Sequence, residues 1–170
     1  MIEQIKDLVS ENTVEIVLDT MIERYREYNR LVSSERFQRI FLAEYAPHNK
    51  QFSISWAISS GFPSGTCVND ELNVTKLEYS RKFTRPLLSN NRISILILNK
   101  TTHFNADYLN EFYLMNGTEG NNVKRFCYFK FSVDQNKLKN VSLCYPNEHG
   151  AVIAEEVLLE NTQIEEKIAS

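Results

Sequence analysis

The chain is poor in glycine and proline, the residues that are common in turns and flexible linkers. It has only five glycines and four prolines in 170 residues, with no internal repeat and no low-complexity tract. So few flexible residues argue against a long linker, and a chain of this length corresponds to roughly one domain. We therefore expect a single globular domain over residues 1–160, followed by a polar segment, 161–170, that frays.

Cysteine is scarce and lacks the spacing of a metal site or a disulfide framework. The three cysteines, Cys67, Cys127 and Cys144, form no CxxC pair, and the three histidines are at no ligand spacing. Cys67 would form a nucleophilic pair with His48 or His103 only if the fold brought them together. We therefore expect reduced thiols, no metal and no cofactor, and the sequence favours a protein without catalytic residues.

Nucleotide-binding and targeting motifs are also absent. The sequence contains neither GxGxxG nor GxxxxGK[ST], the glycine-rich patterns that cradle phosphates. The first residues, MIEQIKDLVSEN, carry acids among the apolar positions, which predicts neither a signal peptide nor a presequence. We therefore expect a cytoplasmic protein without membrane association.

No apolar run is long enough for a membrane helix. The most apolar stretch, Arg92 to Lys100, reads RISILILNK, whereas a membrane helix needs about 20 apolar residues. Isoleucine recurs at every second position and leucine fills the positions between, so both faces of a strand would be apolar. Helix is the alternative, but β-branched residues at period two favour a strand. The stretch predicts a central strand that is buried on both faces.

Apolar residues at steps of three and four predict a long helix near the N-terminus. Its stripe is Val14, Leu18, Met21, Tyr25, Tyr28 and Val32. Asn12 is expected to cap this helix, with Glu15 in the capping-box position. A second helix is predicted after Ser33 and ends at Pro47. Packing of the long helix on the protein's own sheet is favoured over self-association or docking against a partner, because tyrosines are unusual in the seam of a tight coiled coil.

The rest of the chain predicts mainly strands. The expected elements are a strand over Phe52–Ile58, a helix over Glu71–Phe83, a helix over Asn105–Gly117, and strands over Val123–Val133, Lys137–Tyr145 and Ala151–Val157. The second of these is ambiguous, because its apolar residues fit neither period fully. This order predicts an α+β fold, in which N-terminal helices pack on a mainly antiparallel sheet with a C-terminal strand meander and all helices lie on one face of the sheet.

Burial argues for one register in the predicted hairpin of the meander. A three-residue turn, Asp134–Asn136, keeps Asn140 and Ser142 off the apolar face, whereas a turn of two or four residues does not. The expected pairs are Phe131 with Lys139, Phe129 with Val141 and Cys127 with Leu143. This register places Cys127 and Cys144 on opposite faces of the hairpin, so they form no disulfide.

Charge is unevenly distributed although the net charge is only -3. Residues 72–139 hold 11 basic and 5 acidic residues, whereas residues 140–170 hold 1 and 6. The candidate binding residues lie in the basic segment and are Lys76, Tyr79, Arg81, Lys82, Arg85, Arg92 and Lys100. Spaced cations with interleaved aromatic rings suit a phosphate backbone and stacked bases. The other interpretation is a solvated surface that attracts the acidic segments of the same chain.

The sequence favours a small cytoplasmic binding or regulatory protein that acts through a macromolecular surface contact, with another protein as its partner. A bacterial or phage inhibitor or accessory protein fits this size and composition. The alternative is an RNA- or DNA-binding protein, including a nuclease, that uses the basic region 76–100. The pI near 5.7 favours a protein partner, because an acidic protein attracts a polyanion poorly at long range.

Overall fold

The computed structural model describes residues 2–36, 54–80, 83–100, 107–134 and 137–169. Within these residues, seven strands form one sheet whose strand order follows the chain order. The strands are β1 Cys67–Val68, β2 Leu72–Ser80, β3 Phe83–Ser89, β4 Ile93–Asn99, β5 Arg125–Asp134, β6 Lys137–Pro146 and β7 Val152–Leu159. The helices are α1 Ile2–Leu8, α2 Glu11–Ser33, α3 Ile54–Ser59, α4 Asp107–Gly117 and α5 Asn161–Ala169. The α+β fold, with N-terminal helices and a C-terminal strand meander, is confirmed.

Strand β4 is the central strand, as predicted. It is the fourth of the seven described strands, and residues 93–98 are all buried. Its isoleucines enter a large core that α1, α2, α3 and α5 cover, and we call this side the α2 face of the sheet. Leu96 and Leu98 enter a smaller core against α4, on the side that we call the α4 face. Apolar residues on both sides of one strand therefore organise two cores.

The expectation that the helices pack on one face of the sheet is wrong. Strands β4 and β5 pair in parallel, while the other neighbouring strands pair antiparallel. A parallel pair needs a crossover connection, and α4 lies in it and covers the α4 face. The Asn116 amide donates to the carbonyls of Phe126 and Pro146, 2.8 and 2.7 Å away, and so holds the end of α4 on the sheet.

Helix α2 packs on the protein's own sheet, as predicted. Its stripe is shifted, because Val17 and Ile22 are buried while Val14 and Tyr28 are only partly covered. The cap is Ser10, whose Oγ accepts from the Thr13 amide at 3.2 Å, so the predicted cap at Asn12 is wrong. A tyrosine suits this seam because the Tyr25 hydroxyl accepts a hydrogen bond from the Leu138 amide at 3.1 Å.

Two segments take the opposite structure from the one predicted. Residues Ile54–Ser59 form α3 where a strand was expected, because Ile54, Ala57 and Ile58 lie on one helical face against the core. Residues Leu72–Ser80 form β2 where a helix was expected. Its apolar residues contact both faces of the sheet, and this obscures the period-two pattern. The helix predicted between Ser33 and Pro47 lies largely outside the described residues.

The β5–β6 hairpin keeps the predicted faces but not the predicted register. The observed pairs include Phe131 with Val141, Phe129 with Leu143 and Tyr128 with Cys144. Asp134 pairs with Lys137, one residue from the predicted register, and an irregularity between Ser132 and Val133 adds a second residue. The total shift of two is even and leaves each side chain on its predicted face. Cys127 lies in the α2-face core and Cys144 in the α4-face core, so the prediction of opposite faces is confirmed and both thiols are free.

The C-terminal segment does not fray as predicted. Residues Asn161–Ala169 form helix α5, and its Ile164 is only 1% exposed. Ile168 follows one turn later and packs against the same core. The Lys167 ammonium lies 3.1 Å from the Asp19 carboxylate, and Arg26 donates to the Lys167 carbonyl. Two isoleucines at i and i+4 are enough to dock a helix that is otherwise polar.

Candidate functional site

The basic residues selected from the sequence do not form one patch in the described structure. Lys76 is exposed on β2, whereas the neighbouring position, Leu77, pairs with Arg85, so the two cations point to opposite faces. Arg85 is only 9% exposed, and its guanidinium lies 3.4 Å from the Ile97 carbonyl. Arg92 and Lys100 flank the two ends of β4, about 26 Å apart. Arg81, Lys82 and the side chain of Tyr79 lie outside the described residues.

Lys100 instead lies beside two lysines that are not among the candidate residues from the sequence. With Lys130 and Lys139 it lines an open polar cavity of about 530 Å³, which we call the lysine cavity. The Lys130 ammonium is 2.7 Å from the Glu155 carboxylate. The hydrogen bond from Lys130 lowers the pKa of Glu155 against the opposing effect of burial, and Ser142 and Lys100 lower it further. A lysine within the apolar run of β5 was the signal in the sequence for this site.

The candidate nucleophile and metal residues are not gathered in the described structure. Cys67 is exposed on β1, while His48 and His103 lie outside the described residues. Burial raises the pKa of Cys144 to about 11, so this thiol is protonated near neutral pH. Burial likewise raises the pKa of Cys127. Among the described residues, no group of three or more histidine, cysteine or acidic residues is placed to hold a metal ion.

Strand β7 is a long edge of the sheet with apolar side chains in solvent. It is the last strand in the described order, whereas β1, at the other edge, has two residues. Val152, Ile153 and Val157 are 43%, 44% and 53% exposed. An edge strand also directs backbone amides and carbonyls outward, where another strand can pair with them. We call Val152–Leu159, with these outward groups, the β7 edge.

A crevice opens beside β7 on the α2 face of the sheet. Its volume is about 250 Å³. We call it the α1–β7 crevice, and its lining residues are Ile5, Lys6, Val9, Glu11, Val14, Glu15, Leu143, Glu156 and Leu158. The Lys6 ammonium lies 3.2 Å from the Glu11 carboxylate. The hydrogen bond to Glu11, and then the charge of Glu156, raise the pKa of Lys6. The crevice therefore combines apolar walls with an acidic rim.

The sequence predicted a strand over Ala151–Val157, but not that this strand lies at the edge of the sheet. For the long N-terminal helix, packing on the sheet was favoured over a binding role. Two features of the sequence could have indicated the site. The last strand of a meander has a neighbouring strand on one side only, and this strand carries apolar residues on either side of two glutamates. Strand β7 and the N-terminal helices α1 and α2 are nevertheless what bring the edge and the crevice together.

No family model, curated protein or solved structure matches this chain. Among the described helices, none is both long enough and apolar enough to cross a membrane. The function must therefore be inferred from the chemistry of the residues themselves.

Proposed function

We propose that the protein is a small binding protein that receives an extended segment of a partner protein along the β7 edge. The observation that carries this proposal is the edge itself, an eight-residue strand with three exposed apolar side chains. Natural sheets usually shorten, twist or cover such edges, because an open edge pairs with other chains. A cytoplasmic regulatory protein that acts by contact, such as an inhibitor or accessory protein, is the function that this surface supports.

Strand addition explains how such a contact gains both affinity and specificity. The partner segment would pair with the outward backbone groups of β7 and extend the sheet by one strand. Successive side chains of that segment would point to opposite faces. One set would pass over Val157, which lies on the α4 face because it pairs with Ser142, and the other set would pass the mouth of the α1–β7 crevice.

Charge favours a basic segment as the occupant over a second copy of this chain. The acidic residues of segment 140–170 are Glu148, Glu155, Glu156, Glu160, Glu165 and Glu166, and its one basic residue is Lys167. Antiparallel pairing of two β7 strands about their centre keeps equivalent faces of the two sheets on the same side, so it would place Glu155 or Glu156 opposite the same residue of the other copy. Like charges directly opposite destabilise a strand pair. A segment that alternates basic and apolar residues meets no such repulsion.

Contact with RNA or DNA is the second candidate, and the lysine cavity is the observation in its favour. Lys100, Lys130 and Lys139 converge there from three strands or strand ends. Phosphate groups are recognised by such spaced cations. The cavity also contains Glu155 and Glu160, which offset two of the three positive charges, and for this reason the β7 edge is the preferred site.

Affinity capture from the native host, with and without nuclease, separates the two candidates. We expect the wild-type protein to retain a protein partner after nuclease treatment. The double variant Val152→Lys/Val157→Lys should lose it, because lysines on the edge repel a basic segment. Leu114→Lys is the matched control, since Leu114 is also exposed, at 61%, but lies on α4. Loss of the partner on nuclease treatment, or its retention by the edge variant, would contradict strand addition at β7.

A further inference from the structure

We infer that the α1–β7 crevice is the pocket that receives an arginine or lysine side chain of the bound segment. This inference rests on the proposed strand addition and names the residue type that the site selects. Two properties of the crevice carry it. One is its excess of negative charge, and the other is its position beside the β7 edge.

The lining of the crevice matches a side chain with an apolar stem and a cationic head. Ile5, Val9, Val14 and Leu158 provide apolar walls, and three glutamates with one lysine stand at the rim. The rim therefore carries a formal net charge of about -2 at neutral pH. Lysine and arginine bury their methylene stems against apolar surfaces while the charged head stays near solvent. Arginine also pairs with carboxylates through two parallel hydrogen bonds.

The rim carboxylates differ in their existing partners. Glu11 is already paired with Lys6, at 3.2 Å. Glu15 projects from the first turns of α2, and Glu156 from the middle of β7, where it pairs with Leu143 across the strands. These two carboxylates approach the crevice from a helix and from the sheet. A cationic head between them would relieve the repulsion that the uncompensated rim charge creates.

The position of Glu156 and Leu158 links the crevice to the edge. Both residues line the crevice and both belong to β7. A strand added beside β7 would place every second side chain on the α2 face, next to these two residues. The side chains between them would lie on the α4 face beside Val157. The inferred recognition pattern is therefore a basic residue with an apolar residue on each side.

Three synthetic peptides test this pattern. Each has four repeats of valine and a probe residue, flanked by serines, and the probe is arginine, its neutral isostere citrulline, or glutamate. Binding is measured by titration, with amide chemical shifts of the labelled protein as the readout. We expect the arginine peptide to shift resonances of β7 and α1 and to bind about fivefold tighter than the citrulline peptide, which is the most that one surface ion pair allows. The glutamate peptide should bind weakest.

Protein variants assign the preference to the crevice. Glu15→Gln/Glu156→Gln should reduce the preference for arginine over citrulline by about fivefold while leaving the citrulline peptide unaffected. Glu23→Gln, an exposed position on α2 outside the crevice, is the matched control and should preserve the preference. Both substitutions conserve shape, and thermal unfolding midpoints will verify that the variants fold.

The outcomes distinguish the crevice from the edge. If arginine and citrulline peptides bind equally and the edge variant Val152→Lys/Val157→Lys abolishes both, strand addition stands and the cationic pocket is wrong. If the arginine peptide shifts α1 but leaves β7 unchanged, the crevice binds cations without strand addition, and the proposed function is wrong. If no peptide shifts either element, both the function and the pocket are refuted.

Discussion

Replacing Glu71 by Ala is expected to destabilise the protein by about 3.5 kcal/mol. Glu71 follows the β1–β2 turn, in which Asn69 and Asp70 have φ values of 52° and 54°. Its carboxylate accepts hydrogen bonds from the Ser10 amide and the Ser10 hydroxyl, each at 2.7 Å, and a third from the Thr13 hydroxyl. This one side chain thus ties the start of α2 to the turn at the sheet edge.

The magnitude follows from the exposure of each bond. Bonds from exposed Ser10 to the partly buried carboxylate are worth about 1 kcal/mol each, while the bond from fully buried Thr13 is worth about 1.5 kcal/mol. Glu71→Gln retains one acceptor oxygen and should cost about half as much. A domain of this size has about 5 to 15 kcal/mol of stability, so either loss is measurable.

The stability that Glu71 contributes is expected to decrease as the pH falls. Partial burial raises the pKa of Glu71, but the hydrogen bonds from Thr13 and Ser10 outweigh burial and hold the pKa below its ordinary value. A carboxyl group with a lowered pKa in the folded state stabilises the protein above its unfolded-state pKa. That contribution is lost as the pH falls through the folded-state pKa. The difference between the wild type and Glu71→Gln should therefore shrink between pH 7 and about pH 3.

Urea unfolding at several pH values measures these effects. Glu78→Ala is the matched control, because Glu78 lies exposed on β2, the strand that follows Glu71, and should cost less than about 0.5 kcal/mol. The account of Glu71 would be refuted by a loss at Glu71→Ala no larger than at Glu78→Ala. A difference between the wild type and Glu71→Gln that stays constant down to about pH 3 would contradict the role of the charge.

Three further predictions concern the core and the thiols. Ile95→Ala should cost about 2 to 5 kcal/mol in urea unfolding, because it opens a cavity in the central strand, and an unmoved midpoint would contradict that position. Ile164→Ala should cost about 2 to 4 kcal/mol if α5 is part of the cooperative fold, whereas a cost near zero would indicate a frayed segment. An alkylating reagent at about pH 8 should modify Cys67 quickly, and Cys127 and Cys144 only after unfolding. Equal rates at all three thiols would contradict the burial of the last two.

Local sequence patterns were sufficient to predict two kinds of element. One is a helix with its apolar residues on a single face, and the other is a strand whose apolar residues alternate strictly between its two faces. The stretch around Ile95 predicted a central strand, because β-branched residues at every second position fit a strand and strain a helix. The stripe through Met21 and Tyr25 likewise predicted α2. In both cases the contacts that stabilise the element lie along a periodicity that is visible in the sequence itself.

Local patterns did not predict the elements whose structure depends on contacts with distant parts of the chain. Strand β2 contacts one core through Val74 and the other through Leu77, so its apolar residues follow no single period. The cap of α2 at Ser10 is reinforced by Glu71, a residue 61 positions away. Helix α5 has one fully buried residue, Ile164, and gains its order from docking on the core. Tertiary contacts decide these cases, and no window of neighbouring residues contains them.

The candidate site divides in the same way. The sequence by itself determined that residues 76–100 are basic and that residues 140–170 are acidic, because charge is a property of composition. It could not determine that the basic residues separate, since a strand advances about 3.3 Å per residue and turns successive side chains to opposite faces. Only the tertiary structure brought α1 and the start of α2 beside β7 and left that strand at the edge of the sheet. This surface is formed by segments more than a hundred residues apart in the sequence. It therefore depends on the strand order of the whole sheet and on how the helices pack against it.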